Sequence, residues 1–182
     1  MPSAQTLYRA NMLPGNDVGN AISETQMPDG RGNYLKLALP SNGSLANKSF
    51  RVRVSGRVST ISNLLFTSSV YFGQSQTIGL NTLIFTSGTQ QVNNIKSNFE
   101  FWLDMQWDAD SKSITGRGAG QLANNILGPS TLINVPLAAD PNRDSNTFLQ
   151  SGATYGFTVT GVFSGSSSGN HAYIDSFDLE AL

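Results

Sequence analysis

Cysteine is absent from the chain. Disulfide staples, thiolate metal sites and cysteine nucleophiles are therefore excluded together. Histidine occurs once, as His171. No histidine cluster can hold a metal, and a serine nucleophile would have a single ordinary base to draw on. Charge is scarce as well, with Asp, Glu, Lys and Arg making up 13% of the residues and a net charge of −1. Without a basic field there is no electrostatic footprint for nucleic acid. No apolar run approaches the ~18 residues of a membrane-spanning helix. Neither nucleic acid nor membrane is expected as a partner. The opening MPSAQTLYRANMLPGNDVGN lacks the basic start and continuous apolar core of a secretory signal. The chain is expected to start where it is written and to be made in a cytoplasm.

What the sequence does contain is apolar material at period two. Hydrophobic residues are 38% of a 182-residue chain, enough for the core of one β-sandwich or barrel. Ser, Thr, Asn, Gln and Gly supply the surface in place of charge, which suits packing against neighbours.

Residues 1–32 are punctuated by Pro2, Pro14, Gly15, Gly19, Pro28, Gly30 and Gly32, too often for a helix or long strand. This stretch reads as an extended N-terminal arm. It cannot order itself by its own hydrogen bonds, so it must lie on its own domain or on a neighbouring chain. Leu7, Tyr8, Met12 and Leu13 are its candidate interface anchors.

Residues 33–182 read as the sandwich. Tyr34–Leu39 is a first strand. Phe50, Val52, Val54 and Val58 alternate with Arg51, Arg53, Ser55 and Arg57, giving one apolar face and one bearing three arginines. Strands at 64–72 and 77–86 flank the hairpin connection Gly73–Gln76. Phe99, Phe101, Leu103, Met105 and Trp107 share one face, with Glu100, Trp102, Asp104 and Gln106 on the other. A tight turn leads into Ser113–Arg117. Residues 118–150 read as a long loop region with short strands near 132–135 and 147–150. Tyr155–Phe163 and His171–Leu182 close the chain, the latter with an irregularity near Ser176. The predicted fold is all-β, an antiparallel two-sheet β-sandwich of jelly-roll type. Its predicted core includes Phe50, Val52, Val54, Phe99, Phe101, Leu103, Trp107, Phe157 and Val159.

Candidate chemistry is thin. Glu100 and Asp104, four residues apart on one strand, stand roughly 13 Å apart, wider than a glycosidase pair. Asp140, Asn142, Asp144 and Asn146 have the oxygen spacing of a calcium loop. Ser145 and Ser151 replace its turn glycine and final glutamate, leaving an Asx-rich loop or a weak calcium site. Three arginines on one strand face repel unless acids such as Glu100 and Asp104, or an external acidic surface, cover them. No catalytic residue or cofactor is expected.

The segments FWLDMQWDADSKSITGRGAGQ and YGFTVTGVFSGSSSGNHAYIDSFDLEAL resemble, in texture, jelly-roll virion proteins of tailed bacteriophages. In these a tryptophan strand turns into an "-xIxG-" strand and a "tVtGxFS…gN.A.i..F.LE" ending closes the sandwich. The resemblance spans residues 33–182 and implies a non-enzymatic capsid decoration (cement) protein. It would sit on the virion surface after synthesis in the host cytoplasm. Its partners would be the major capsid protein and neighbouring copies of itself, a homotrimer being one arrangement. Carbohydrate-binding sandwiches share this texture. The alternative is therefore a carbohydrate-binding module or a receptor-binding fibre or tail component, stacking a glycan on Trp102, Tyr71 or Tyr173. Trp102 separates the two: open in a groove it favours sugar, covered by another strand or subunit it favours assembly.

Overall fold

The computed structural model of the chain describes residues 5–11, 17–27, 49–60, 64–73, 77–92, 97–108, 113–122, 125–127, 133–136 and 156–182. They form the expected all-β architecture, two packed antiparallel sheets of a jelly-roll-like sandwich. The larger sheet has seven strands. From one edge they run β1 (Gln5–Asn11), β12 (His171–Ala181), β3 (Ser49–Ser59), β7 (Ser97–Asp108), β8 (Ser113–Leu122) and β10 (Ile133–Pro136), with β9 (Asn125–Leu127) also pairing β8. The smaller sheet has five: β2 (Thr25–Gln26), β11 (Gly156–Phe163), β4 (Leu65–Gly73) and β5 (Thr82–Thr86), with β6 (Gln90–Gln91) also on β4. The chain crosses between sheets repeatedly, which is why β3 lies between β7 and β12 rather than beside β4.

Alternation sets what each strand buries. In β3, Phe50, Val52, Val54 and Val58 point inward and are buried, while Arg51, Arg53, Ser55 and Arg57 point outward. In β7, Phe99, Phe101, Leu103 and Met105 are buried, as expected. Phe157 and Val159 of β11 are buried too. Of the expected core, only the Trp107 side chain lies outside what is described. Phenylalanines knit the sheets together. Phe101 packs against Phe85 of the opposite sheet at 5.0 Å between centroids and against Phe99 at 5.2 Å. Phe66 of the smaller sheet meets Phe99 of the larger at 6.4 Å, and Phe157 meets Phe177 at 6.1 Å. These separations fall in the favourable range for aromatic pairs.

Two local expectations are corrected. Residues 77–86 do not form a continuous strand. Ile78–Leu80 make one 3-10 turn before β5 begins at Thr82. Residues 118–122 are strand rather than loop, because β8 continues to Leu122. Its inward positions 116, 118 and 120 are glycines, so the strand carries no apolar alternation to read. Those glycines leave the room that neighbouring side chains fill. A Cβ on Gly118 would collide with Phe85 and Leu103, and one on Gly120 would lie 2.7 Å from Phe101 Cδ1. The short strand expected near 132–135 is β10. The strands expected at 34–39 and 147–150 lie outside the described residues. The irregularity near Ser176 is a register shift between Ile174 and Ser176 in the β12–β3 ladder.

Two parts of the Gly/Pro-punctuated beginning hydrogen-bond with their own chain. Strand β1 pairs with β12, Gln5 opposite Ala181 and Asn11 opposite Ser176. Residues 17–27 run along the rim of the smaller sheet. Val18 N donates to Ala172 O, Phe163 N to Ala21 O and Met27 N to Val159 O. Met27 is buried, its methyl lying over Gly161.

Glu24 fixes this segment by accepting from Tyr71 Oη at 2.8 Å and Thr160 Oγ1 at 2.6 Å. Burial, then the hydrogen bond to Glu24, pushes the Tyr71 phenol up to about 12. A raised pKa means stability from the neutral phenol is complete below the unfolded value near 10 and is lost as pH climbs through about 12. Spectrophotometric titration of the wild type should therefore show a late tyrosine step that Tyr71→Phe removes. Glu24→Gln should bring that step down only in part, since burial is the larger cause. A Tyr71 that ionises near the ordinary value of about 10 would refute the contact.

Candidate binding face on the seven-stranded sheet

The outer face of the larger sheet collects most of the residues singled out in the sequence. Register arranges them in rows across strands. One row is Glu180, Arg51, Asp104 and Arg117. The next is Asp178, Arg53, Trp102 and Ala119, and the third is Ser176, Ser55, Glu100 and Gln121. Tyr173, Arg57 and Asn98 complete it.

The three arginines have three different fates. Arg51 clasps Asp104 side-on, Nε to Oδ1 at 2.5 Å and Nη2 to Oδ2 at 2.9 Å. The hydrogen bond from Arg51 holds the Asp104 carboxyl below the usual carboxylate range, and Asp104 in turn raises Arg51. Arg57 grips Asp175, Nη2 to Oδ1 at 2.6 Å and Nε to Oδ2 at 2.8 Å. The register shift in β12 falls at Asp175, which has no place in the ladder and meets Arg57 on this face. Arg53 is exposed and has no ion-pair partner among the described residues. The acids expected opposite the arginines thus include Asp104 but not Glu100, which stands across from Ser55.

The aromatic candidates also separate. Tyr71 belongs to the smaller sheet and is tied to Glu24. Tyr173 stacks on His171 at 6.1 Å and lies under the Arg57 guanidinium at 5.6 Å. Trp102 is half-buried, and no ring contact or hydrogen bond engages it among the described residues. Its cross-strand neighbour on β8 is Ala119, too small to cover an indole. Beside it runs a shallow groove of about 310 Å³, lined by Ser49, Asp104, Gln106, Thr115, Arg117 and Leu182. Arg117, exposed and unpaired among the described residues, faces Asp104, whose two oxygens are already taken by Arg51.

Arg117 is the site residue that the sequence reading missed. In GRGAGQ the glycines at 116, 118 and 120 alternate with Arg117, Ala119 and Gln121, so the outward set was legible once the strand was recognised. Asp175 and Asp17 were missed for another reason, since each meets its partner across a long stretch of chain. His171 Nδ1 pairs with the Asp17 carboxylate, which also accepts from Ala172 N at 3.2 Å and Tyr173 Oη at 3.4 Å. The lone histidine thus helps hold residues 17–27 to β12.

Among the described residues no three His, Asp or Glu side chains gather as a metal site. The oxygen-rich loop Asp140, Asn142, Asp144 and Asn146 lies outside the described residues, as do Met12 and Leu13. Leu7 and Tyr8 fall in β1, where only the backbone is described; the β1–β12 register shifts between Thr6 and Tyr8.

No family model and no curated protein sequence matches the chain. Among solved structures the chain is distantly similar to the CBM2 module of the evolved Dit of Lactobacillus casei BL23 phage J-1. Identity is 11% and the TM-score 0.39, over 97% of this chain and 95% of that one.

Proposed function

We propose that the protein is a non-enzymatic structural component of a bacteriophage particle, a capsid decoration protein that binds the shell of the major capsid protein. The observation that carries this reading is an apolar, uncharged end on the smaller sheet. Leu80 and Leu83 are 76% and 46% exposed, beside and in a terminal strand, TLIFT, with no charged residue or proline. Sheet ends without charge or proline are open to pairing with another chain, and this one carries only the register shift between Val70 and Tyr71 in its pairing with β4; exposed apolar groups that cluster mark contact surfaces. The texture shared with phage virion sandwiches and the low surface charge support the same role. The test is rebinding of the full chain to particles stripped of it. A Leu80→Asp/Leu83→Asp double variant should keep its fold and rebind roughly tenfold or more weakly, the scale of a lost hot spot. Undiminished rebinding, or particles that never contained the chain, would overturn the proposal.

Trp102 favours a second reading, sugar recognition of the kind expected of a carbohydrate-binding or receptor-binding component.

A further inference from the structure

On the sugar-binding reading of the larger sheet, we infer that its ligand is a carboxylated glycan, held by Trp102 with Arg53 and Arg117. Three observations converge. Trp102 offers an indole with no ring partner among the described residues, the platform on which the C–H-rich face of a pyranose packs. Arg53 is directly across the ladder from Trp102, its Cα about 5 Å away, and with Asp178 as its ladder neighbour on β12 its guanidinium still forms no ion pair among the described residues. Arg117 sits one row along and one strand over, roughly 12 Å from Arg53 by strand spacing and rise.

Charge decides between ligand classes. Arg51 and Asp104 neutralise one another in the middle of the face. Among the described residues, the arginines of this face without an ion pair are then Arg53, across from Trp102, and Arg117, which lines the groove and acts on Asp104 only through its charge. A planar guanidinium takes a carboxylate through two parallel hydrogen bonds. A sugar ring on Trp102 can therefore set its carboxylate on Arg53 while the next residue of the chain reaches the groove and Arg117. Gln106 and Thr115, which line that groove, supply neutral partners for hydroxyls. A nucleic-acid strand is disfavoured. A run of phosphates would need more cations than this face leaves without an ion pair among the described residues, and the protein has no net positive charge.

The experiment is an array of neutral, uronic-acid and sialic-acid oligosaccharides probed with the full chain. Calorimetry then compares the strongest carboxylated binder with its methyl ester and with oligothymidylate. Binders should be concentrated among the acids, with the ester at least roughly tenfold weaker, as loss of a charge-assisted pair implies. Trp102→Ala should abolish binding of acid and ester alike. Arg53→Gln should weaken the acid about tenfold and leave the ester unchanged, without moving the melting temperature. Equal affinity for acid and ester would overturn the carboxylate assignment and leave a neutral-sugar site. Binding of no sugar would overturn the sugar reading itself, and tighter binding of oligothymidylate would reassign the face to nucleic acid.

Discussion

Truncating Phe101 to alanine is expected to cost about 3–5 kcal/mol, the range for fully buried aromatics. In a protein of this length that lowers the melting temperature by roughly 6–20 °C. The ring is completely buried and lies at the junction of the two sheets, stacked on Phe99 along its own strand and tilted against Phe85 across the sandwich. Gly120 opposite it has no side chain to move into the space. The backbone of β7 is held on both sides by β3 and β8, so the cavity cannot close by a strand shift. Chemical denaturation of wild type and variant measures the loss. A change below 1 kcal/mol would mean that the inner and outer faces of β7 are exchanged, and Trp102 would then belong to the core.

Gly56→Ala should be nearly as damaging, through overpacking rather than a void. A Cβ at this position would fall well inside contact distance of the Tyr173 carbonyl and the edge of the Phe99 ring. The carbonyl belongs to β12, the ring fills the core, and neither is the loose end of a side chain. Overpacking of a tight core typically costs 1–3 kcal/mol and sometimes more. With backbone as one of the obstacles, a loss of about 3 kcal/mol is expected. The same denaturation experiment reads it, and Phe99→Leu in the Gly56→Ala background should return part of the loss by vacating one obstacle. If alanine at 56 is tolerated at under 1 kcal/mol, Phe99 does not fold over this glycine.

Which parts of this arrangement were readable beforehand follows from the range of the forces involved. Strands β3, β7 and β11 announce themselves because one face of each is buried and the other wet, which imprints a period of two on adjacent residues. The outward direction of Trp102 follows from the same alternation, since Phe101 and Leu103 flank it. The second half of β8, beyond Arg117, hid for the opposite reason. The strand's inner positions 116, 118 and 120 are glycines that receive Phe85, Leu103 and Phe101, and only Leu122 at its end contributes a large buried side chain among the described residues. The binding face was half legible. That Arg51, Arg53 and Arg57 share a surface is a local fact. That Arg51 and Arg57 are neutralised while Arg53 is left uncommitted depends on Asp104 and on a bulged Asp175. Cross-strand register of that kind is written nowhere in the local sequence.

The place of β3 in the larger sheet has a kinetic consequence. It hydrogen-bonds to β7 on one side and to β12 on the other, and Arg57 meets Asp175 across a separation of 118 residues. Contacts so distant along the chain require a large loop to close before any of their energy is returned, which slows folding. During synthesis β3 emerges long before β12, and until then one of its edges offers unpaired backbone beside an apolar face. The nascent chain therefore passes through a stage with an open, sticky edge at what becomes the interior of the sheet, the kind of species prone to mispairing with other copies. Refolding yield should fall steeply with protein concentration, even though the finished molecule closes that edge.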